Sequence, residues 1–180
     1  HELSVRCGFR DFRVKDGFFY LNGQRIFLRS SHTGNHFPVG QIIPVDPDHL
    51  RRDLIMAKAS GFNCIRWIAG VALPEQMDFC DELGLMVYEE CYAGWAFYDA
   101  PNLVERYERS YREMILRDRN HPSVTIWGLM NEMPDGPAFR CAVDFLPKLR
   151  ELDPTRLVLL HSGRWDADPK IGSVSNPGSL

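Results

Sequence analysis

Short apolar runs rich in β-branched residues alternate with longer stretches of helical periodicity along most of this 180-residue chain. From Ile26 onward, five runs of strand length are separated by stretches long enough to form a helix. Connections of that length join parallel strands through a crossover, whereas antiparallel strands need only a short turn. This alternation therefore predicts an α/β fold with a parallel sheet.

The bounds of these units follow from local signals. The first strand is predicted to end at Leu28 or Arg29 and to open into a long loop over residues 30–47. Asp46 suits a helix N-cap and Pro47 the first helical position, and this helix is predicted to end at Gly61. The remaining predictions are strands at residues 62–67, 85–88, 123–128 and 156–160, and helices at residues 74–83, 103–119 and 137–152.

The first part of the chain has a different pattern. Asn22-Gly23 lies between the apolar runs 18–21 and 25–28, which is a strong signal for a tight β-hairpin. A further strand is predicted to end near Arg10. The predicted architecture is a partial (β/α)8 TIM barrel, comprising about the first five βα units and preceded by a short β-hairpin segment.

Charge and hydropathy exclude several functional classes. The formal net charge is −3, with both signs mixed along the chain, so no basic face for nucleic acid is predicted. No apolar run approaches membrane-spanning length, and we predict no membrane partner. The first four residues do not resemble the start of a signal peptide, and the compartment stays open.

The five cysteines are scattered and never form a Cys-x-x-Cys pair. We predict buried thiols rather than disulfides or a zinc site, above all for Cys64, Cys80 and Cys91. His32 and His36 are four residues apart, but they lie on a predicted loop with no third ligand evident nearby. Neither a metal nor a cofactor is predicted.

The segment from Arg117 to Glu132 carries the strongest functional signal. It runs from the basic end of a predicted helix, through a turn at Pro122, into the fourth strand, and ends on Asn131-Glu132. Active sites of α/β barrels lie at the carboxyl ends of the strands. Asn131 and Glu132 are therefore the first candidates for chemistry.

At this point the sequence resembles glycoside hydrolase family 2, the group containing β-galactosidases, β-glucuronidases and β-mannosidases. The matching segments keep the family's order and are Gly8-Phe9-Arg10, Leu21-Asn22-Gly23, Leu28-Arg29, residues 61–66, residues 80–87, residues 117–123, Trp127 and Asn131-Glu132. The resemblance implies a retaining β-glycosidase barrel preceded by β-sandwich domains. Residues 1–25 would then end such a domain and form the connecting hairpin, and residues 26–180 would be the amino-terminal part of the barrel.

The resemblance also implies roles for single residues. Glu132 would be the general acid/base and Asn131 would hold the sugar's 2-hydroxyl group. Arg66 matches an arginine near the catalytic carboxylates, although a structural ion pair is an equal reading. Glu90 matches an acid on the third strand and is expected to orient its neighbours rather than act as nucleophile. His36 is aligned with a histidine of the first loop and is a candidate sugar contact.

General acid catalysis makes independent sense of Glu132. A leaving glycosidic oxygen needs a carboxylic acid that is protonated near neutral pH, which apolar surroundings favour. Trp127, Met130 and Met133 are the apolar neighbours of Glu132 in the sequence.

The chain departs from the family pattern in several places. His32 stands where an asparagine is usual, and Trp67-Ile68-Ala69-Gly70 replaces a segment that carries a sugar-binding histidine. The identity of the sugar is therefore not carried over. The family's nucleophile is a second glutamate on strand seven, expected about 90 residues after Glu132 and thus beyond Leu180. This chain is predicted to carry one of two carboxylates and to be inactive alone.

Three functions compete at this stage. The first is a retaining β-glycosidase acting on β-linked oligosaccharides or glycosides, and the second is a non-catalytic carbohydrate-binding or scaffold module derived from such a barrel. The third is a different barrel enzyme using Glu132, Glu90 and Arg66. In the binding module, sugars would stack on aromatic residues near strand ends, although one or two of these residues are expected to belong to the core instead: Trp67, Trp95, Phe97 and Tyr98. An open five-stranded sheet also leaves unpaired edges, so the isolated chain is predicted to be a homo-oligomer, domain-swapped or poorly stable.

Overall fold

The computed structural model describes Ser4 and residues 7–46, 48–92, 100–133 and 136–163. Its strands are β1 (Phe12–Lys15), β2 (Phe18–Leu21), β3 (Gln24–Ile26), β4 (Ser30–Thr33), β5 (Cys64–Trp67), β6 (Met86–Glu90), β7 (Val124–Gly128) and β8 (Leu157–Leu159). Its helices are α1 (Asp48–Ala59), α2 (Pro74–Leu83), α3 (Leu103–Asp118) and α4 (Pro137–Leu152). No described helix combines the length and the apolar character that crossing a bilayer requires.

Strands β4 to β8 form a five-stranded parallel sheet in sequential order, and one helix lies between each two consecutive strands along the chain. This is the arrangement of successive βα units in a barrel. The predicted α/β class with five parallel units is confirmed. Gly84 ends α2 in the left-handed conformation, with φ of 64°, as expected for a glycine that follows a helix.

The predicted first strand of the barrel is wrong by a few residues. The strand does not end at Leu28 or Arg29; β4 begins at Ser30 and pairs with β5 from Ser30 opposite Cys64 to Thr33 opposite Trp67. The long loop accordingly starts at residue 34. Because β4 is polar and partly exposed, it lacks the apolar run that signals a buried strand.

The amino-terminal hairpin is present, with a third strand that was not predicted. Strands β1, β2 and β3 form an antiparallel sheet, and Asn22 and Gly23 turn between β2 and β3 with φ of 50° and 80°. Both residues therefore adopt the positive φ that a type I′ turn requires. The strand expected to end near Arg10 is not found in residues 7–11, and β1 begins at Phe12 instead. The predicted domain boundary at residue 25 stays a prediction.

The small sheet packs on the inner face of the parallel sheet. One apolar cluster joins the two sheets and comprises Phe12, Cys64, Met86, Tyr88 and Ile126, with Phe19, Leu21, Ile26, Leu28, Leu157 and Leu159 packed against them. Cys64 and Met86 are the first residues of their strands. The hairpin thus covers the inner face near the amino ends of the strands and leaves the carboxyl ends for the site.

The outer face of the sheet packs against the helices and forms the larger core. Trp67, Val87, Val124 and Trp127 are fully buried there, together with apolar side chains of α2, α3 and α4. Cys64, Cys80 and Cys91 are buried free thiols, as predicted. With β6 and β7 buried along their whole length, the residues that follow them are held by a packed scaffold.

Candidate active site

The carboxyl ends of β5, β6 and β7 bring together four of the predicted site residues. Arg66 is the penultimate residue of β5, Glu90 is the last residue of β6, and Asn131 and Glu132 follow β7. Because the strands are parallel and adjacent, these positions meet at the same edge of the sheet. Ligands of barrel enzymes bind at this edge.

Arg66 connects the β6 acid with the amide after β7. Its Nε lies 2.8 Å from Oε1 of Glu90, and its Nη2 lies 2.6 Å from the same oxygen. Nη2 also donates to Oδ1 of Asn131 at 2.6 Å, and the guanidinium carbon lies 4.9 Å from the centre of the Tyr88 ring. The two readings of Arg66 are thus compatible, because one side chain makes the ion pair and holds a candidate catalytic neighbour.

Glu90 is completely buried and both of its carboxylate oxygens are engaged. Oε1 faces Arg66, and Oε2 accepts a hydrogen bond of 2.8 Å from the backbone N–H of Ala69. A buried carboxylate is tolerated when it is paired and hydrogen-bonded in this way. The arrangement favours the predicted orienting role of Glu90.

Asn131 is buried with only 1% of its surface exposed. Its Oδ1 accepts hydrogen bonds from Arg66 at 2.6 Å and from the Ser162 hydroxyl at 3.0 Å. A guanidinium group has donors only, so the atom that faces Arg66 must be the amide oxygen. The Nδ2 group of Asn131 therefore remains to donate to a ligand.

Glu132 is half-buried and has an unusual backbone conformation. Its φ is 48°, in the left-handed region that residues with a Cβ seldom occupy. Its backbone N–H donates to the Ser162 hydroxyl at 3.2 Å. Such backbone outliers concentrate at functional sites, where the surrounding structure holds them in place.

Two residues of this edge were missed by the sequence reasoning, namely His161 and Ser162. The Gly163 N–H donates to Nδ1 of His161 at 2.9 Å, and Nε2 of His161 lies 2.8 Å from the Met133 backbone nitrogen and 2.5 Å from the Met133 carbonyl oxygen. Both residues follow the fifth predicted strand just as Asn131 and Glu132 follow the fourth. Their position after a strand end was the signal that would have found them.

A second group of buried charges lies behind the sheet and supports the loop after β5. The Ala72 N–H donates to Oε1 of Glu89 at 3.2 Å, and Arg117 donates to the Ala72 carbonyl at 2.8 Å. Arg117 also pairs with the buried Asp118 at 2.6 Å. Burial raises the pKa of Glu89 well above its ordinary value, and the nearby Asp118 carboxylate raises it further. The same loop supplies the Ala69 N–H that binds Glu90.

Trp67, one of the four aromatic residues near strand ends, is a core residue. The side chain is fully buried on the outer face, and its Nε1 lies 3.3 Å from Oδ1 of Asn35 and 3.2 Å from Oε1 of Gln76. Trp67 is therefore one of the aromatic residues that belong to the core and does not stack on sugars, because β5 turns this position towards the helices. The other aromatic candidates lie outside the described residues: Trp95, Phe97 and Tyr98.

His36 is exposed on the loop after β4, where its ring lies close to Gly34. It takes no part in the hydrogen bonds described above between Arg66, Glu90 and Asn131. His36 as a sugar contact stays a prediction.

Among the described residues, the metal-ligand side chains that approach one another in a group of three are Asp78, Asp81 and His121, with ligand atoms within 4.8 Å. His32 and His36 do not belong to this group. His121 and Ser123 precede β7, so the group lies near the amino edge of the sheet, away from Glu132. Asp81 accepts from the Ser123 N–H at 3.0 Å and lies 2.7 Å from Nδ1 of His121.

Comparison with known proteins identifies similar sequences and structures. Residues 12–175 match the profile of the family described as glycosyl hydrolases family 2, TIM barrel domain. The chain is 34% identical over 162 residues to a β-galactosidase of Thermoanaerobacterium thermosulfurigenes, a match that covers 86% of this chain and 21% of that protein. The chain therefore spans about a fifth of the length of this curated relative.

Two solved structures show the same fold over the matched part. A β-glucuronidase of Parabacteroides merdae superposes with a TM-score of 0.76 at 32% identity, covering 86% of this chain and 21% of that one. A β-galacturonidase of Eisenbergiella tayi bound to galacturonate also gives a TM-score of 0.76, at 29% identity, with coverage of 86% and 28%.

Proposed function

The chain belongs to glycosyl hydrolase family 2, as part of its TIM barrel domain, and on this premise we propose that the protein is a retaining β-glycosidase with Glu132 as its general acid/base. The observation that carries the proposal is the pair Asn131-Glu132 at the carboxyl edge of the sheet, with the Asn131 oxygen held by Arg66. The substrate is a β-linked glycoside or oligosaccharide. The relatives carry three different sugar names, so the proposal specifies the bond rather than one sugar.

In the first step, Glu132 donates a proton to the glycosidic oxygen as the bond to the sugar breaks. In the second step, the same carboxylate takes a proton from the water that attacks the glycosyl-enzyme. The Nδ2 group of Asn131 donates to the sugar's 2-hydroxyl oxygen, a contact that strengthens in the transition state. Arg66 and Glu90 keep Asn131 in this orientation.

A retaining mechanism needs a second carboxylate about 5 Å from the first, which acts as the nucleophile. We propose that residues outside these 180 supply it. Glu90 is poorly suited to that task, because its two oxygens are already engaged by Arg66 and by the Ala69 N–H.

The leaving group of the substrate provides the test. In the gene product that contains this chain, Glu132→Gln should lower kcat/KM about 10²- to 10⁴-fold for glycosides with poor leaving groups, because their departing oxygen needs a proton. For activated aryl glycosides, kcat/KM should fall much less, because their leaving group departs without a proton. The control is Glu151→Gln, which changes an exposed glutamate on α4. Equal losses for both kinds of substrate would contradict the role of Glu132.

The binding-module alternative makes a different prediction for the same protein. Trp67 is fully buried, so it is not part of a surface on which sugars could stack. Under that alternative, the gene product would bind β-glycosides in a calorimetric titration without hydrolysing them. Hydrolysis that depends on Glu132 would exclude it.

A further inference from the structure

We propose that Ser162 is a positioning residue for the catalytic pair, acting on Asn131 and Glu132 at once. The inference rests on the proposed function of that pair. Ser162 belongs to the segment that follows β8, so it would connect this segment to Asn131 and Glu132, which follow the neighbouring strand β7.

The hydroxyl of Ser162 makes one hydrogen bond to each member of the pair. Its Oγ donates to Oδ1 of Asn131 at 3.0 Å and accepts from the backbone N–H of Glu132 at 3.2 Å. A hydroxyl group offers one donor and two acceptor positions, so both bonds form together. The Ser162 backbone N–H donates to the Met130 carbonyl at 3.1 Å, which fixes the serine itself.

The first bond completes the hydrogen bonding of the Asn131 amide oxygen, whose orientation Arg66 determines. This oxygen accepts from Ser162 on one side and from Arg66 on the other, and a carbonyl oxygen has two lone pairs. The oxygen is therefore fully used within the protein. Only the Nδ2 group can face the substrate, so Asn131 acts as a donor to the 2-hydroxyl oxygen.

The second bond acts on the backbone of Glu132. A φ of 48° is unfavourable for a residue with a Cβ and persists only where several contacts enforce it. Ser162 anchors the N–H on the amino side of this residue, and His161 contacts both backbone groups of Met133 on its other side. Together they hold Glu132 between two fixed points, and the direction of its side chain depends on that backbone.

The test measures substrate selectivity in the gene product that contains this chain. Ser162→Ala should lower kcat/KM about 10- to 100-fold for a glycoside with a poor leaving group and an intact 2-hydroxyl, because small displacements of catalytic groups are costly. The loss should be smaller for an activated aryl glycoside, which needs less acid catalysis. It should also be smaller for the corresponding 2-deoxy glycoside, which lacks the Asn131 contact.

Two further variants separate positioning from folding. Ser162→Thr keeps the hydroxyl and should recover most of the lost activity with the original selectivity. Ser123→Ala removes the same atom from a buried serine near the opposite edge of the sheet and should leave the selectivity unchanged. If Ser162→Ala does not fold, Ser162→Cys replaces it, because its thiol is a weaker donor of similar shape and should show the same selectivity to a smaller degree.

Equal losses for all three substrates would overturn the positioning role, since a merely structural serine lowers every activity alike. The comparison with Glu132→Gln distinguishes the two proposals. If Glu132→Gln shows the leaving-group dependence and the Ser162 variants do not, only the positioning role fails. If Glu132→Gln lacks that dependence, the proposed function fails and the positioning role fails with it.

Discussion

Gly128 permits the close packing on the inner face of the sheet. A Cβ atom at this position would lie 2.3 Å from Cε2 of Tyr88 and 2.6 Å from Cγ of Glu90. Distances this short require the ring or the carboxylate side chain to move. Since Tyr88 lies under the Arg66 guanidinium and Glu90 pairs with it, the missing side chain of Gly128 helps to place the charges of the site.

Replacing Gly128 by alanine should therefore disturb both stability and the site. We expect the free energy of unfolding to fall by about 1 to 3 kcal/mol, the usual effect of overpacking in a dense interior. Urea unfolding followed by circular dichroism measures the change. Gly136→Ala is the matched control, because a Cβ there meets nothing within 4 Å and the residue is extended, with φ of 176°. Similar losses in the two variants would contradict the packing role.

At the scale of elements, Asp81 ties α2 to the turn that precedes β7. Burial opposes the charge of Asp81, but hydrogen bonds from His121 and Ser123 lower its pKa. The hydrogen bond to Asp81 in turn raises the pKa of His121, although partial burial works against it. This contact fixes the turn before β7 against α2. It therefore helps to position β7, the strand that Asn131 and Glu132 follow.

The His121–Asp81 pair should make stability depend on pH. Because the folded-state pKa of His121 is raised, its stabilisation is fully present below the unfolded value of about 6.5 and is lost as pH rises through the folded value. We expect Tm to fall over that range and expect His121→Asn to reduce the fall. Thermal unfolding from pH 6 to 9 measures it, with His49→Asn on α1 as control. An unchanged pH profile in His121→Asn would contradict the assignment.

At the scale of the whole molecule, the parallel sheet ends at β4 on one side and β8 on the other. In a closed barrel each strand has two neighbours, whereas within the described residues these two strands have one each. Exposed backbone N–H and C=O groups at such edges are templates for pairing with another chain. The unpaired edges of β4 and β8 are therefore the sites at which one chain could pair with another.

The 180-residue chain should therefore self-associate when it is produced alone. Light scattering after size exclusion should give a mass above that of the monomer and rising with concentration. Ser30→Lys places a charge on the exposed edge strand β4 and should weaken the association. Ser60→Lys adds the same charge at an exposed position after α1 and should not. A monomer at every concentration tested would contradict this expectation.

The parts of the fold that depend on local sequence were predicted well. Helix α2 and helix α4 have the predicted bounds, because proline at the start and apolar periodicity are signals within the helix itself. The placement of Asn131 and Glu132 after a strand was also accessible, because strand ends and barrel chemistry are linked. Strand β4 was misplaced because its polar residues become a strand only by pairing with β5, more than 30 residues later in the chain.

The sequence by itself determined the alternation of strands and helices, the family, and the segment that presents Glu132, since each depends on residue types in a fixed order along the chain. Only the tertiary structure decided that Trp67 is buried, that Glu90 is held by Arg66, and that Ser162 binds both Asn131 and Glu132. These are contacts between residues that lie far apart in sequence. Their hydrogen bonds depend on the register of neighbouring strands, which periodicity within one segment does not specify.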